Sequence, residues 1–358
     1  STSWEPFDTN LPNVAVTDLE IHLEDSKLIA ATYGRGIWQT DIPTLTASDD
    51  VKLSEILNPT FHINCGTNLS PIINVKNSGL NAITVINITY SVDGGTPNNF
   101  TWNGLINSGQ YQTITIPALN LLKGNHTINI STTIPNDAFQ NNNSLTTFFN
   151  LNDNGTIGQV NGFTSASEKL LSYNENDTNS QWVRGSRATG SLATGSNLVY
   201  ATNLTGNYPD NIKSYLVSQC YDLSNVSNPQ ISFKFQYDLE LNWDLIYVEY
   251  STNFGANWSV LGEYGANWYN SNRTPQTSGN DCYNCVGAQW TGTNLAFNTY
   301  SYPLTNLIGN SNVIFRFVFH TDDTVNNLGA NVDDFVISGI LSNENFELNN
   351  VSIYPNPS

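Results

Sequence analysis

Methionine is absent from the 358-residue sequence, including from its first position. Position 1 is Ser and no signal peptide follows, so the chain is expected to be an internal or processed piece of a longer protein. Basic residues are nearly as scarce: 12 Lys and Arg face 30 Asp and Glu, for a net charge of −18. Nucleic acid and anionic membranes are poor partners for such a chain, since both need a cluster of Lys and Arg that never occurs. No apolar run approaches the roughly 20 residues a membrane helix needs. A soluble chain with no membrane span is expected.

Standard catalytic signatures are missing too. There is no HExxH, no GxSxG, and no Walker or dinucleotide glycine pattern. Gly185 to Gly195 is rich in small and hydroxyl residues, but it lies between strand-like segments and reads as a loop, not as a phosphate cradle. His22, His62, His126 and His320 are scattered and define no nucleophile–base pair.

Cysteine is limited to Cys65, Cys220, Cys282 and Cys285. Cys282-Tyr-Asn-Cys285 is the close pair. A zinc site needs a second pair or histidines at ligand spacing, and a redox CxxC opens a helix, whereas this one lies among Gly, Asn and Asp. A short disulfide pinning a loop of an exported protein is expected, with a pairing through Cys220 as the alternative.

What the sequence does contain is Asn, Thr and Ser around short runs of Val, Ile, Tyr and Phe, a composition that favours strands and turns over helices. In residues 1–43, Val14 to Ile21, Leu28 to Thr32 and Ile37 to Thr40 read as three strands, with a turn at Gly34-Arg35-Gly36. The stretch "LIAATYGRGIWQT" resembles the closing blade of a BNR/sortilin-type β-propeller. A lone blade cannot bury both faces, so the resemblance implies upstream blades. Residues 44–150 hold short strands (Ile72–Val75, Thr84–Tyr90, Tyr111–Ile116, His126–Ser131, Leu145–Phe149) parted by Asn77-Ser-Gly79, Asp93-Gly-Gly95 and Lys123-Gly124-Asn125. That spacing predicts an immunoglobulin-like sandwich, and "INVKNSGLNAIT" with "HTINIS" resembles the CARDB family of bacterial surface modules. Trp102 and Phe148-Phe149 are expected in its core.

Residues 151–341 alternate large apolar and polar positions at Phe233, Phe235 and Tyr237 and again at Val313, Phe315, Phe317 and Phe319, which predicts half-buried strands. From Trp182 to "NVDDFVISG" the series resembles the MAM-like jelly rolls of bacterial secreted peptidases and glycan-active enzymes. Ser251 to Trp258 is similar to an Asp-box hairpin, with Asn253 in place of the usual Asp. Residues 342–358 are a polar linker and "VSIYPNPS", which resembles the opening of the type A C-terminal sorting domain of Bacteroidota type IX secretion cargo. Tyr354, Pro355, Asn356 and Pro357 carry that resemblance. It implies export through the type IX translocon or its outer-membrane shuttle barrel, to the medium or the exterior of a Gram-negative cell.

Three kinds of site can be drawn from these residues. Glu240 with Asp244, or Asp333 with Asp334, are carboxylate pairs of the sort glycosidases use, but adjacent strand residues face opposite ways. Asp322, Asp323, Asp333 and Asp334, set among Asn and Gly, form the oxygen-rich mixture that Ca²⁺ favours, against the alternative of a solvated acidic loop. The MAM-like resemblance also implies a structural Ca²⁺ near the terminal strands. Trp268 and Tyr269, in "YGANWYNSN", are expected on the surface as a platform for sugar rings. Together these features predict an all-β chain: a partial propeller blade, an immunoglobulin-like sandwich and a larger jelly roll. The segment is read as non-catalytic, serving glycan or protein binding or adhesion. The alternative is an accessory region of a secreted glycoside hydrolase or peptidase whose catalytic domain lies upstream.

Overall fold

Strand-forming composition and dense turn signals produce an almost pure β structure. The computed structural model describes residues 10–22, 27–41, 47–66, 68–175, 182–265, 267–275, 282 and 284–341. The sorting-signal residues Tyr354, Pro355, Asn356 and Pro357 lie outside the described residues. Among the described residues helix is confined to three single 3₁₀ turns, and no helix is long and apolar enough to cross a membrane.

The first sheet is antiparallel, in the order β1 (Val16–His22), β2 (Lys27–Thr32), β3 (Gly36–Asp41). It leaves Leu19, Ile21 and Ile37 more than half exposed.

Next come β4 (Val51–Asn58), β5 (Ile63–Cys65), β6 (Asn68–Leu69), β7 (Ile72–Asn77), β8 (Ile83–Val92), β9 (Asn98–Ile106), β10 (Tyr111–Thr115), β11 (Leu119–Asn120), β12 (Gly124–Thr133) and β13 (Ser144–Asn152). A β10-β7-β4 sheet faces a five-stranded β5-β13-β12-β8-β9 sheet. Val51, Leu53, Ile73, Val75, Ile86, Ile88, Ile128 and Ile130 fill the space between them. Two Asn-x-Thr triplets, at Asn87 and Asn99, have a structural role here. Asn87 and Thr89 on β8 face Thr101 and Asn99 on β9, and each threonine hydroxyl donates to the opposite Asn Oδ1, at 3.0 and 2.9 Å. Phe149 is core, but its neighbour Phe148 is 66% exposed, because consecutive strand residues point to opposite faces.

The larger sandwich contains β14 (Leu171–Asn174), β15 (Val183–Gly185), β16 (Val199–Ala201), β17 (Lys213–Tyr221), β18 (Val226–Asp238), β19 (Leu245–Ser251), β20 (Ser259–Val260), β21 (Thr293–Pro303), β22 (Val313–His320) and β23 (Gly329–Leu341). Its two sheets run β14-β17-β22-β19-β20 and β15-β16-β23-β18-β21, and from β16 onward the chain crosses repeatedly between them as in a jelly roll. Phe233 on β18 meets Phe317 on β22 edge to face at 4.7 Å. Strand β22 is not half-buried as its alternation predicts, since Ile314 and Val318 are as buried as the phenylalanines. Large side chains cover that outer face. The Arg316 guanidinium lies 4.1 Å over both the Tyr215 and Trp258 rings and pairs with Glu249 at 2.6 Å.

The two sandwiches are joined by more than the chain. Ile63 belongs to the larger core, its N–H donates to the Phe254 carbonyl at 2.9 Å, and Asn152 Nδ2 donates to the Ser218 carbonyl at 2.8 Å. Cys65 is bonded to Cys220, 155 residues away. Phe254 sits in the turn that resembles an Asp box, where Gly255 N–H donates to Ser251 Oγ and Asn257 N–H to Asn253 Oδ1, both at 2.9 Å. Asn253 therefore holds this turn through its side-chain oxygen.

Candidate metal centre and aromatic cavity

Two neighbouring strand ends create the main cluster. Leu245 at the start of β19 pairs with His320 at the end of β22, so the residues just outside them, Asp244 and Asp322, are brought together. Asp322 N–H donates to Asp244 Oδ1 at 2.9 Å. Between β18 and β19 the chain makes one helix-like turn, with Asp244 N–H on the Glu240 carbonyl at 3.2 Å, which sets Glu240 beside Asp244. One carboxylate oxygen each from Glu240, Asp244 and Asp322 lie within 4.8 Å of one another. This is the one group of three or more metal-ligating side chains found among the described residues.

The electrostatics are those of anions held together. Asp244 is 1% exposed, and burial pushes its carboxyl up to about 7. Hydrogen bonds from the Tyr208 hydroxyl and the Asp322 amide work against that rise, and the charges of Asp322 and Glu240 add to it. Glu240 is also raised, by burial first and then by Asp322. Its Oε2 is buried and has no hydrogen-bond partner among the described residues. Tyr208 donates its hydroxyl proton to Asp244 Oδ2 and accepts from Glu240 N–H at 3.1 Å, so the turn is clamped from below. Alongside lies an open cleft of about 590 Å³, lined in part by Glu175, Lys213, Trp243, His320, Asp322 and Asp323. Burial, with Lys213 nearby, lowers His320 to about 4, so it is neutral at pH 7.

The donor set fits a hard divalent cation. Ca²⁺ takes oxygen ligands at about 2.3–2.6 Å, so two of its ligands lie no more than about 5 Å apart. The three oxygens satisfy that limit.

This differs from the ligand set expected from sequence. Of those four acids only Asp322 takes part. Asp323 is exposed at the cleft. Asp333 points into the sandwich and accepts from Asn197 Nδ2 at 2.6 Å, while Asp334 pairs with Lys234 at 2.7 Å. Proximity in sequence misleads here because β23 carries Asp333 and Asp334 away from the strand ends. Glu240 and Asp244, considered above only as a glycosidase pair, supply the other two carboxylates. Their i, i+4 spacing was the available signal, and it lacked the register of β19 against β22.

The expected surface platform is also corrected. Trp268 and Tyr269 are 4% and 1% exposed. Trp268 Nε1 donates to the Leu261 carbonyl at 3.0 Å, and its ring packs on Trp290, Tyr302 and Phe233. Tyr269 OH accepts from Val248 N–H at 2.9 Å and donates to the Val248 carbonyl at 3.2 Å. The long connection from β20 to β21 lies against the sheet and needs its own apolar filling, which these rings and Trp290 provide. Cys282 and Cys285 are bonded to each other and buried within the same connection. Among the described residues of this connection, Tyr264, 54% exposed, is the aromatic that reaches the surface.

No protein-family model matches the chain, and no curated protein does. Among solved structures it is similar to the CARDB domain of a Pyrococcus furiosus protein in complex with di-metal ions, at 19% identity over 30% of this chain and 97% of that one, TM-score 0.24. It is also similar to the K1 cleaved adhesin domain of Lys-gingipain from Porphyromonas gingivalis, at 13% identity, 52% and 99% coverage and TM-score 0.31. A third similarity is to promiscuous carbohydrate-binding modules of the β-sandwich superfamily, at 10% identity, 81% and 98% coverage and TM-score 0.29.

Proposed function

We propose that this chain is a non-catalytic region of an exported bacterial surface protein, a binding or adhesive part whose larger sandwich is braced by a divalent cation. The observation that supports the cation is the meeting of Glu240, Asp244 and Asp322, with a buried carboxylate oxygen that has no hydrogen-bond partner among the described residues. All-oxygen chemistry favours Ca²⁺ over Zn²⁺. The cation neutralises three crowded acids and ties the β18–β19 turn to the end of β22. Catalysis is disfavoured at the same place, because Asp244 is buried and its Oδ2 is taken by the Tyr208 hydroxyl.

The test is melting temperature against pH, with CaCl₂ or with EGTA. Ca²⁺ at 100 times its dissociation constant should add about 2.7 kcal/mol. Without cation, the folded state holds a proton on Asp244 that the unfolded chain releases near pH 4. Chelated protein should therefore lose stability as pH rises from about 4 to about 7, and Ca²⁺ should offset that loss above pH 7. Identical melting curves in CaCl₂ and EGTA at pH 8 would remove the cation from the proposal.

Export through the type IX system, to the cell surface or medium, is the second part of this proposal and is supported by the resemblance at residues 351–358. Deleting residues 342 onward in the parent gene should leave a folded protein trapped in the periplasm. Normal appearance of the truncated protein outside the cell would reject this part.

A further inference from the structure

The connection that buries Trp268 and Tyr269 leaves a cavity above them. It has a volume of about 650 Å³ and opens between Tyr264, Gly265 and residues 267–270 on one side and the outer edge of β21 on the other. Small-molecule sites commonly fall between about 300 and 1,000 Å³. None of the nine described residues lining it is charged, on a chain whose net charge is −18.

Its groups divide into a rigid floor and free donors. The Tyr300 ring lies 5.3 Å from Trp290 and 5.9 Å from Phe235, and its hydroxyl accepts from Asn294 Nδ2 at 3.0 Å. Asn270 uses both ends of its amide on Thr291, donating to the carbonyl at 2.8 Å and accepting from the N–H at 3.1 Å, so that wall is fixed. Tyr264 lines the cavity and is 54% exposed. Asn267, Asn298 and Thr299 are exposed. Asn267 and Thr299 have no side-chain hydrogen bond among the described residues, and Asn298 makes one, to Asn294 at 3.3 Å.

We infer that this cavity binds a neutral saccharide. The apolar faces of the sugar rings lie on Tyr264 and Tyr300, and the hydroxyls bond to Asn267, Asn298 and Thr299. Tyrosine rings beside neutral amides and hydroxyls match a ligand that is apolar on its ring faces and polar at its rim. An acidic sugar or a phosphate finds no cation in the cavity and meets a strongly acidic protein. Much of the site is formed before binding, because Tyr300 and Asn270 are already held, so little ordering entropy remains to be lost. The inference rests on the binding role proposed above, whose ligand class it names, and on none of the carboxylates of the metal centre.

Calorimetric titration of the whole chain with cellohexaose, xylohexaose, mannohexaose and maltohexaose tests it, with hexagalacturonate as the charged comparison. At least one neutral hexasaccharide should bind at millimolar concentration or below, and hexagalacturonate should not. Tyr264→Ala, at an exposed ring, should weaken binding about tenfold or more, and Asn298→Ala several-fold, with melting temperature unchanged. EGTA should leave the affinity unaltered. Binding that survives Tyr264→Ala would keep a glycan-binding chain and overturn this site. Preference for hexagalacturonate, or no binding by any of the four neutral sugars, would overturn the inference itself.

Discussion

Replacing Cys65 and Cys220 together by serine is expected to lower the melting temperature by roughly 10–20 °C. The bond closes a separation of 155 residues and joins the two sandwiches. In the chain-entropy model a loop of that length is worth about 5 kcal/mol. One kcal/mol corresponds to about 2–4 °C for a body of 150–250 residues. Serine at Cys282 and Cys285 serves as the comparison, since that bond spans a separation of only 3 and should contribute about 2 kcal/mol. Scanning calorimetry of both double variants decides the matter. Equal losses, or a larger loss at the short bond, would show that the Cys65–Cys220 bond adds little to contacts already made by Ile63 and Asn152.

Arg187 should be the most costly single side chain to remove from the 185–195 loop. It is 1% exposed, and three main-chain carbonyls accept from its guanidinium: Asn203 at 2.9 Å, Leu328 at 2.8 Å and Gly206 at 2.8 Å. Its own N–H is held by Thr194 Oγ1 at 2.9 Å. Arg187→Ala leaves those buried acceptors without donors and a void between three loops, for an expected loss of about 3–5 kcal/mol. Arg187→Lys should recover only part of it, because one ammonium cannot reproduce the planar fork. Urea unfolding of the two variants provides the comparison. A loss below 1 kcal/mol in Arg187→Ala would mean that water replaces the guanidinium at no cost.

The carboxylate cluster and the uncharged cavity were legible to different degrees. Acids after the Phe-rich strand marked the neighbourhood, and one of them, Asp322, is a member of the cluster. The sequence could not show that β23 withdraws Asp333 and Asp334, or that a helix-like turn delivers Glu240 and Asp244 from 78 to 82 positions earlier. Trp268 and Tyr269 failed as surface residues for a related reason. A loop-like context reports backbone irregularity, whereas burial depends on what else the loop must cover.

All-β architecture was determined by the sequence alone, because strand period, turn residues and the scarcity of helix-forming runs are local properties. Many strand positions follow for the same reason, as at β7, β8, β12 and β22. The excess of 30 acids over 12 bases is likewise compositional, and the expectation that polyanions bind poorly follows from it without any coordinates. Tertiary structure decided everything that depends on which strand lies beside which: the Cys65–Cys220 pairing, the cover that buries both faces of β22, the three carboxylates at the strand ends and the uncharged cavity at β21. Residues far apart in sequence meet only through sheet register, and a single chain read in order carries no record of that register.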